Sequence, residues 1–130
     1  MTIEAGVDAQ APERVLIVDD DPRIRTIFAA ALRPYGVVVA ETADAAADIL
    51  VDHPHLRLVL CDMDLGTVSG RAVYEFVAEH RPDLRDCFVV MSGFLHPDEA
   101  AFMASHDVEC FEKPGSLVSL REIAERYLGS

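Results

Sequence analysis

Basic residues are scarce in this sequence: 11 Lys and Arg stand against 23 Asp and Glu, leaving a formal net charge of -12 and a pI near 4.6. A surface of that sign repels phosphate backbones and anionic lipid, so neither nucleic acid nor a membrane is expected as a partner. Cysteine is sparser still, with Cys61, Cys87 and Cys110 each in or beside an apolar run. An odd number so placed reads as buried free thiols of a reducing compartment, not as a disulfide framework. No apolar run approaches the roughly 20 residues that a membrane-spanning helix needs. Residues 1–13 (MTIEAGVDAQAPE) carry acids and lack the apolar segment of a signal peptide. Solenoid repeats, low-complexity tracts and internal linkers are also missing. What remains is a chain of 130 residues, 51% of them apolar, which is enough for one core. The expectation is a cytoplasmic domain over residues 14–130 behind a short flexible tail, residues 1–13.

Apolar runs and helical patterns alternate along it. Arg14–Asp19 (RVLIVD) reads as a buried strand, and Asp21-Pro22 as the cap and first position of a helix. Ile24, Ile27, Phe28, Ala31 and Leu32 then mark one helical face, and Gly36 ends it. Val37–Ala40 is the second strand, and Thr42 caps a helix to about His53 with Ala45, Ala46, Ile49 and Leu50 inward. Arg57–Cys61 is the third strand, followed by a helix marked by Ala72, Val73, Phe76 and Val77 that stops before Pro82. Cys87–Met91 is the fourth, and Pro97, Asp98 and Glu99 open a helix ending near Ser105. Val108–Glu112 is the fifth strand. Leu117, Leu120, Ile123, Ala124, Tyr127 and Leu128 are the expected buried face of the last helix. Five strands each followed by a helix define an α/β chain whose parallel sheet is covered on both faces.

In sheets of this kind, ligands bind outside the carboxyl ends of the strands. The first strand ends in Asp19, Asp20 and Asp21, the third in Asp62, the fourth in Ser92, and the fifth just before Lys113-Pro114. Gathered at one edge, such carboxylates repel one another and call for a cation. Oxygen-rich acidic clusters suit a hard divalent ion such as Mg²⁺. Ser92 and Lys113 add a hydroxyl donor and an ammonium, which suit the peripheral oxygens of a phosphoryl group.

Four stretches in order, VLIVDDDP, LVLCDMDLGTVSG, VVMSG and FEKP, resemble the receiver domain of the two-component response-regulator family, from about Arg14 to Leu128. The resemblance implies a three-layer, doubly wound (βα)5 flavodoxin-like fold with a five-stranded sheet of order 2-1-3-4-5. It also implies that Asp62 is the phosphoacceptor, Gly70 the loop glycine, Ser92 the switch hydroxyl and Lys113 the ammonium partner. Mg²⁺ would be bound by Asp20 and Asp62, by Asp19 mostly through water, and by the backbone carbonyl of Asp64. The implied donor is a phosphohistidine of a sensor histidine kinase or histidine phosphotransfer protein. A downstream protein would meet the face made by the fourth helix, fifth strand and fifth helix. The Lys113-Pro114 bond is expected to be cis, and Asp64 and Phe94 to flank the path of hydrolytic water. With no residues left for an output domain, the chain is expected to act as a stand-alone receiver.

Three positions depart from the family pattern: Gly66 where proline is usual, Cys110 where an aromatic switch residue is usual, and Gly115 after the Lys-Pro pair. Gly66 implies a looser loop. Phe111, one place later than Cys110, should face the other side of its strand.

Two other functions fit parts of the pattern. DMDLGT resembles the nucleophile motif of haloacid-dehalogenase phosphatases, but Gly66 occupies its Thr/Val position and the acidic pair precedes the nucleophile instead of following it. A degenerate receiver that only binds a partner would not need Asp19, Asp20, Asp62 and Lys113 together. Asp21 reads as a helix cap only. His53 and His55 lie in a loop at the opposite end of the sheet, and His80, His96 and His106 are isolated, so none is assigned chemistry. Cys61 reads as a small buried neighbour of Asp62.

Overall fold

The structure, a computed structural model, describes residues 12–113 and 116–129. The expected cis bond at Pro114, the departure at Gly115 and residues 1–11 of the tail lie outside the described residues. Five strands, β1 (Val15–Val18), β2 (Val37–Ala40), β3 (Leu58–Asp62), β4 (Phe88–Ser92) and β5 (Glu109–Glu112), pair in parallel in the order β2-β1-β3-β4-β5. Between them run α1 (Pro22–Ala31), α2 (Ala43–Asp52), α3 (Gly70–His80) and α4 (Pro97–Ser105), and α5 (Leu117–Leu128) follows β5.

Burial follows strand position. Every residue of the inner strands β1, β3 and β4 is buried, as the unbroken apolar runs require of a sheet covered on both faces. The edge strands β2 and β5 are partly open. Alternate side chains feed two cores. Leu16, Val18, Val59 and Val90 pack with Ala46, Leu50, Val73, Val77 and Met103 under α2, α3 and α4. Val15, Ile17, Leu60 and Met91 pack with Phe28, Leu32, Leu120 and Ile123 under α1 and α5. The result is the expected three-layer flavodoxin-like architecture.

Polar side chains start the helices where the sequence places them. Asp21 accepts from Arg23 N at 2.9 Å with Pro22 at the first position. Thr42 accepts from Ala45 N at 3.0 Å, Ser69 from Arg71 N at 3.1 Å and Ser116 from Ser119 N at 2.9 Å. Each satisfies an amide that the helix itself leaves free.

Some inward assignments fail at the borders of the apolar stripes. Ile27 lies about 100° around α1 from Phe28 and stays 48% exposed. Leu117, in the first turn of α5, is also exposed, and on α3 Ala72 faces out while Tyr74 is buried. Two 3-10 turns, Arg33–Tyr35 and Pro82–Cys87, were not foreseen. The expectation of three buried thiols holds for Cys61, half holds for Cys87 and fails for Cys110. Edge strand β5 turns Cys110 toward a cleft beside the loop after β4, whereas Phe111 turns inward against Phe28.

Candidate functional site

Parallel register sets the carboxyl ends side by side. Val18 pairs with Cys61, Asp62 with Met91, and Ser92 with Glu112. Asp19, Asp62, Ser92 and Lys113, each at or just past the end of its strand, therefore border one cleft, together with Asp20, Asp21, Asp64, Phe94 and His96.

Asp19 is fully buried, and both of its carboxylate oxygens are engaged. Oδ1 accepts from Asp21 N at 2.9 Å, and Oδ2 from Lys113 Nζ at 3.0 Å. Arg25, reaching back from α1, donates to the Asp19 carbonyl at 2.8 Å. Asp62 is buried apart from its outer edge, and its Oδ1 accepts from Asp64 N at 3.2 Å. Its Oδ2 lies 3.3 Å from Lys113 Nζ. Burial, then the nearby Asp19 charge, pushes the Asp62 carboxyl above its ordinary range, against the pull of the Asp64 amide and Lys113. Burial opposes the charge on Lys113, but the Asp19 and Asp62 carboxylates outweigh it and raise the ammonium pKa.

Carboxylate oxygens of Asp19, Asp20 and Asp62 all lie within 4.8 Å of one another. Three carboxylates against one ammonium leave the cluster two formal negative charges in excess. This donor set fits a hard divalent cation: Asp20 is exposed, and Asp62 opens to the cleft. Asp64 directs its carboxylate away from that task, accepting from Gly66 N at 3.0 Å.

The loop between β3 and α3 is tied down, not loose. Leu65 N donates to Val68 O at 3.1 Å, and Gly66 has a φ of 88°, which a proline ring cannot adopt. Gly70 is required by contact: a Cβ there would collide with the carbonyl oxygen of Asp62 and come 3.0 Å from Met63 Cα. The helix after the loop is thus pressed against the backbone that carries Asp62.

Ser92 is buried at the end of β4, but its hydroxyl serves its own loop. It donates to Phe94 O at 2.7 Å and accepts from Phe94 N at 3.0 Å. Phe94 is 73% exposed and stands edge-on to His96 at 5.3 Å. Among the residues predicted from sequence, Asp19, Asp20, Asp62, Ser92 and Lys113 meet at this cleft, and Asp21 is the helix cap. His53 and His55 do not enter it; His53 instead lies 3.0 Å from Glu13. Sequence reasoning missed Arg25 and the bordering His96. It also passed over a simple signal, that Lys113 is the only lysine of the chain.

The doubly wound sheet thus gathers buried acids, a bridging ammonium and a hydroxyl at its carboxyl edge. The model of the response regulator receiver domain matches residues 15–125, and the chain belongs to that family. The chain is 39% identical over 83 residues to the two-component response regulator-like APRR9 of Arabidopsis thaliana, a match covering 62% of this chain and 18% of that protein. A response regulator receiver protein from Pseudomonas putida is 25% identical, with a TM-score of 0.79 over 89% of this chain and 98% of its own. A CheY-like receiver domain protein from Methanospirillum hungatei is 24% identical, with a TM-score of 0.78 over 88% and 92%. Receiver domains are signalling domains, not classical enzymes. In general they accept a phosphoryl group on an aspartate, typically bind Mg²⁺ at an acidic pocket, and interact with histidine kinases or phosphotransfer proteins. Among the described residues, no helix is long and apolar enough to cross a membrane.

Proposed function

We propose that this chain is a cytoplasmic receiver that takes a phosphoryl group onto Asp62 from the phosphohistidine of a sensor kinase or phosphotransfer protein. It then signals by protein contact or passes the group on in a phosphorelay. One observation carries the reading: Lys113 Nζ bridges Asp19 and Asp62, holding a cation beside a carboxylate that still opens to the cleft.

In the transfer, a carboxylate oxygen of Asp62 forms the new P–O bond as the P–N bond of the phosphohistidine breaks. The imidazole leaves as the neutral base after taking up a proton. The protein's part is chiefly positioning and charge. Lys113 pairs with the phosphoryl oxygens, and Ser92 donates its hydroxyl to one of them. Asp20, Asp62 and the Asp64 carbonyl would hold Mg²⁺ directly and Asp19 through water, because both Asp19 oxygens already accept hydrogen bonds. The ion supplies neutralisation of charge on the transferring group. The face formed by α4, β5 and α5, where Cys110 and Val118 are exposed, is the proposed contact for a downstream protein.

The test is incubation of the purified protein with acetyl phosphate and Mg²⁺, read by intact mass and acid lability. Asp62→Asn should abolish labelling, because a carboxamide is a poor nucleophile. Wild-type labelling of Asp62→Asn would overturn the assignment. Steady turnover of small phosphate esters would instead indicate a phosphatase, and refusal of all donors a binding-only domain.

A further inference from the structure

His96 faces two spaces. It borders the acidic cleft of Asp62 and Lys113, and it borders a polar cavity of about 350 Å³ whose lining includes Thr67, Ser69 and Glu99. Asp64 and Phe94 border both spaces as well. His96 itself is exposed at the N-cap of α4, with its ring edge-on to Phe94 at 5.3 Å. Because Asp62 opens to the cleft, water reaches a phosphoryl group placed there. The survival of that group then depends on which side chain aligns a water and takes its proton.

Most neighbours are committed elsewhere. Asp19 engages both carboxylate oxygens, with Asp21 N and Lys113 Nζ. Asp21 accepts from Arg23 N, Nε and Nη2, and Asp64 from Gly66 N. Asp20 belongs to the carboxylate group that fits a cation. Lys113 is a cation between two acids, the Ser92 hydroxyl is bonded to the Phe94 backbone, and the Phe94 ring carries no acceptor. Any carboxylate is also repelled by phosphoryl oxygens, whereas a neutral imidazole is not. Imidazole is besides the side chain whose basic form is both abundant and effective near neutral pH. We propose that His96 is the base for hydrolysis of phosphorylated Asp62, holding the attacking water at the cleft and returning its proton to solvent through the polar cavity. The water oxygen forms a new P–O bond, and the P–O bond to Asp62 breaks with its electron pair passing to the carboxylate. One water proton goes to a ring nitrogen of His96, and inorganic phosphate leaves. His96 thus sets how long the signal lasts. The proposal rests on Asp62 being the acceptor.

The charged groups that face His96 are Asp64 and Glu99 around the polar cavity, and Asp20, Asp21, Asp62 and Lys113 around the cleft. The test compares wild type with His96→Ala and His96→Asn. Asparagine is a strong N-cap, so it keeps the start of α4 but cannot take the proton. Each protein is labelled with acetyl phosphate and Mg²⁺ and freed of donor. Phosphate loss is then followed by intact mass across the pH range in which imidazole titrates. Only molecules already labelled are counted, so differences in labelling rate do not enter. Wild type should lose phosphate faster as pH rises through that range. Both variants should hold it several-fold longer at neutral pH and lose the pH dependence, with His96→Asn melting as wild type does. A flat wild-type profile, or the wild-type profile retained in either variant, overturns the role of His96 while leaving the acceptor role intact. Absence of phosphate on Asp62 overturns the acceptor reading and this inference together.

Discussion

Lys113 Nζ stands 3.0 Å from Asp19 Oδ2, joining the ends of β5 and β1 across 94 positions of sequence. The carboxylate is fully buried and the lysine side chain only 17% exposed, so little water can replace the contact. Lys113→Ala therefore leaves Asp19 and Asp62 facing each other without a cation. Removing a partner from a buried acceptor costs about 1–3 kcal/mol, and an unfolding free energy reduced by that order, read as a lower urea midpoint at unchanged slope, is expected. Added Mg²⁺ should recover part of the loss, because it supplies charge to the same oxygens. An unchanged midpoint with and without Mg²⁺ would show that the bridge does not hold the site together.

Asp62 carries the opposite sign. Its carboxyl pKa is raised by burial and by Asp19, so the folded chain prefers it protonated. A raised folded value means that its stabilising contribution is complete below the unfolded carboxylate range and is lost as pH rises through the folded value. At neutral pH without Mg²⁺ the ionised Asp62 weighs against folding. Asp62→Asn should then melt at a higher temperature than wild type, with the gap closing as the solution is acidified. Calorimetry over a pH series checks this, and a less stable Asp62→Asn at neutral pH would refute it.

Much of this was legible in the sequence because it depends on local rules. Strands β1, β3 and β4 were found because burial on both faces demands continuous apolar residues, and Asp21, Thr42 and the Pro97 start because caps act within one turn. The site followed from the position of strand ends in a parallel sheet. What was hidden depends on packing at a distance. Arg25 reaching the Asp19 carbonyl and Ser92 bonding to its own loop are choices among partners that spacing does not rank. The exposure of Cys110 depends on how far the neighbouring helices cover the edge strand β5, which strand order alone does not tell. Likewise Arg81 donates to Leu50 O at 2.7 Å and His53 O at 3.1 Å, closing the end of α2 from about thirty residues away.

Gly70 links loop and acceptor through contact alone. A methyl group at that position would meet the Asp62 carbonyl oxygen and Met63 Cα, both backbone and unable to swing aside as a flexible side chain would. Gly70→Ala is expected to lower stability by about 1–3 kcal/mol, as overpacking does. Because the backbone displaced is that of Asp62 itself, labelling by acetyl phosphate should slow more than it does in an exposed α3 control such as Ala72→Ser. Denaturation and labelling rates measured on both variants decide the matter. A Gly70→Ala protein that labels like the control would remove the loop glycine from the site.

Glu109 ties β5 to α5 through Arg126, which donates to both carboxylate oxygens, and through the Tyr127 hydroxyl at 2.8 Å. Arg126 holds the Glu109 carboxyl below its usual range, while burial and then Glu109 push the Tyr127 phenol up to about 12. The Tyr127 contribution is thus complete below the ordinary tyrosine value of about 10 and is lost as pH rises through about 12. Tyr127→Phe deletes the donor and should remove the phenolate step at about pH 12 from the alkaline absorbance titration. Glu109→Gln removes the charge that opposes phenolate formation and should bring that step to lower pH with the hydroxyl still present. It should also loosen β5 against α5, so amide exchange of Cys110 and Phe111 should quicken relative to β1. An alkaline titration identical in wild type and Glu109→Gln would mean that burial alone sets the Tyr127 value and that the Glu109 contact is incidental.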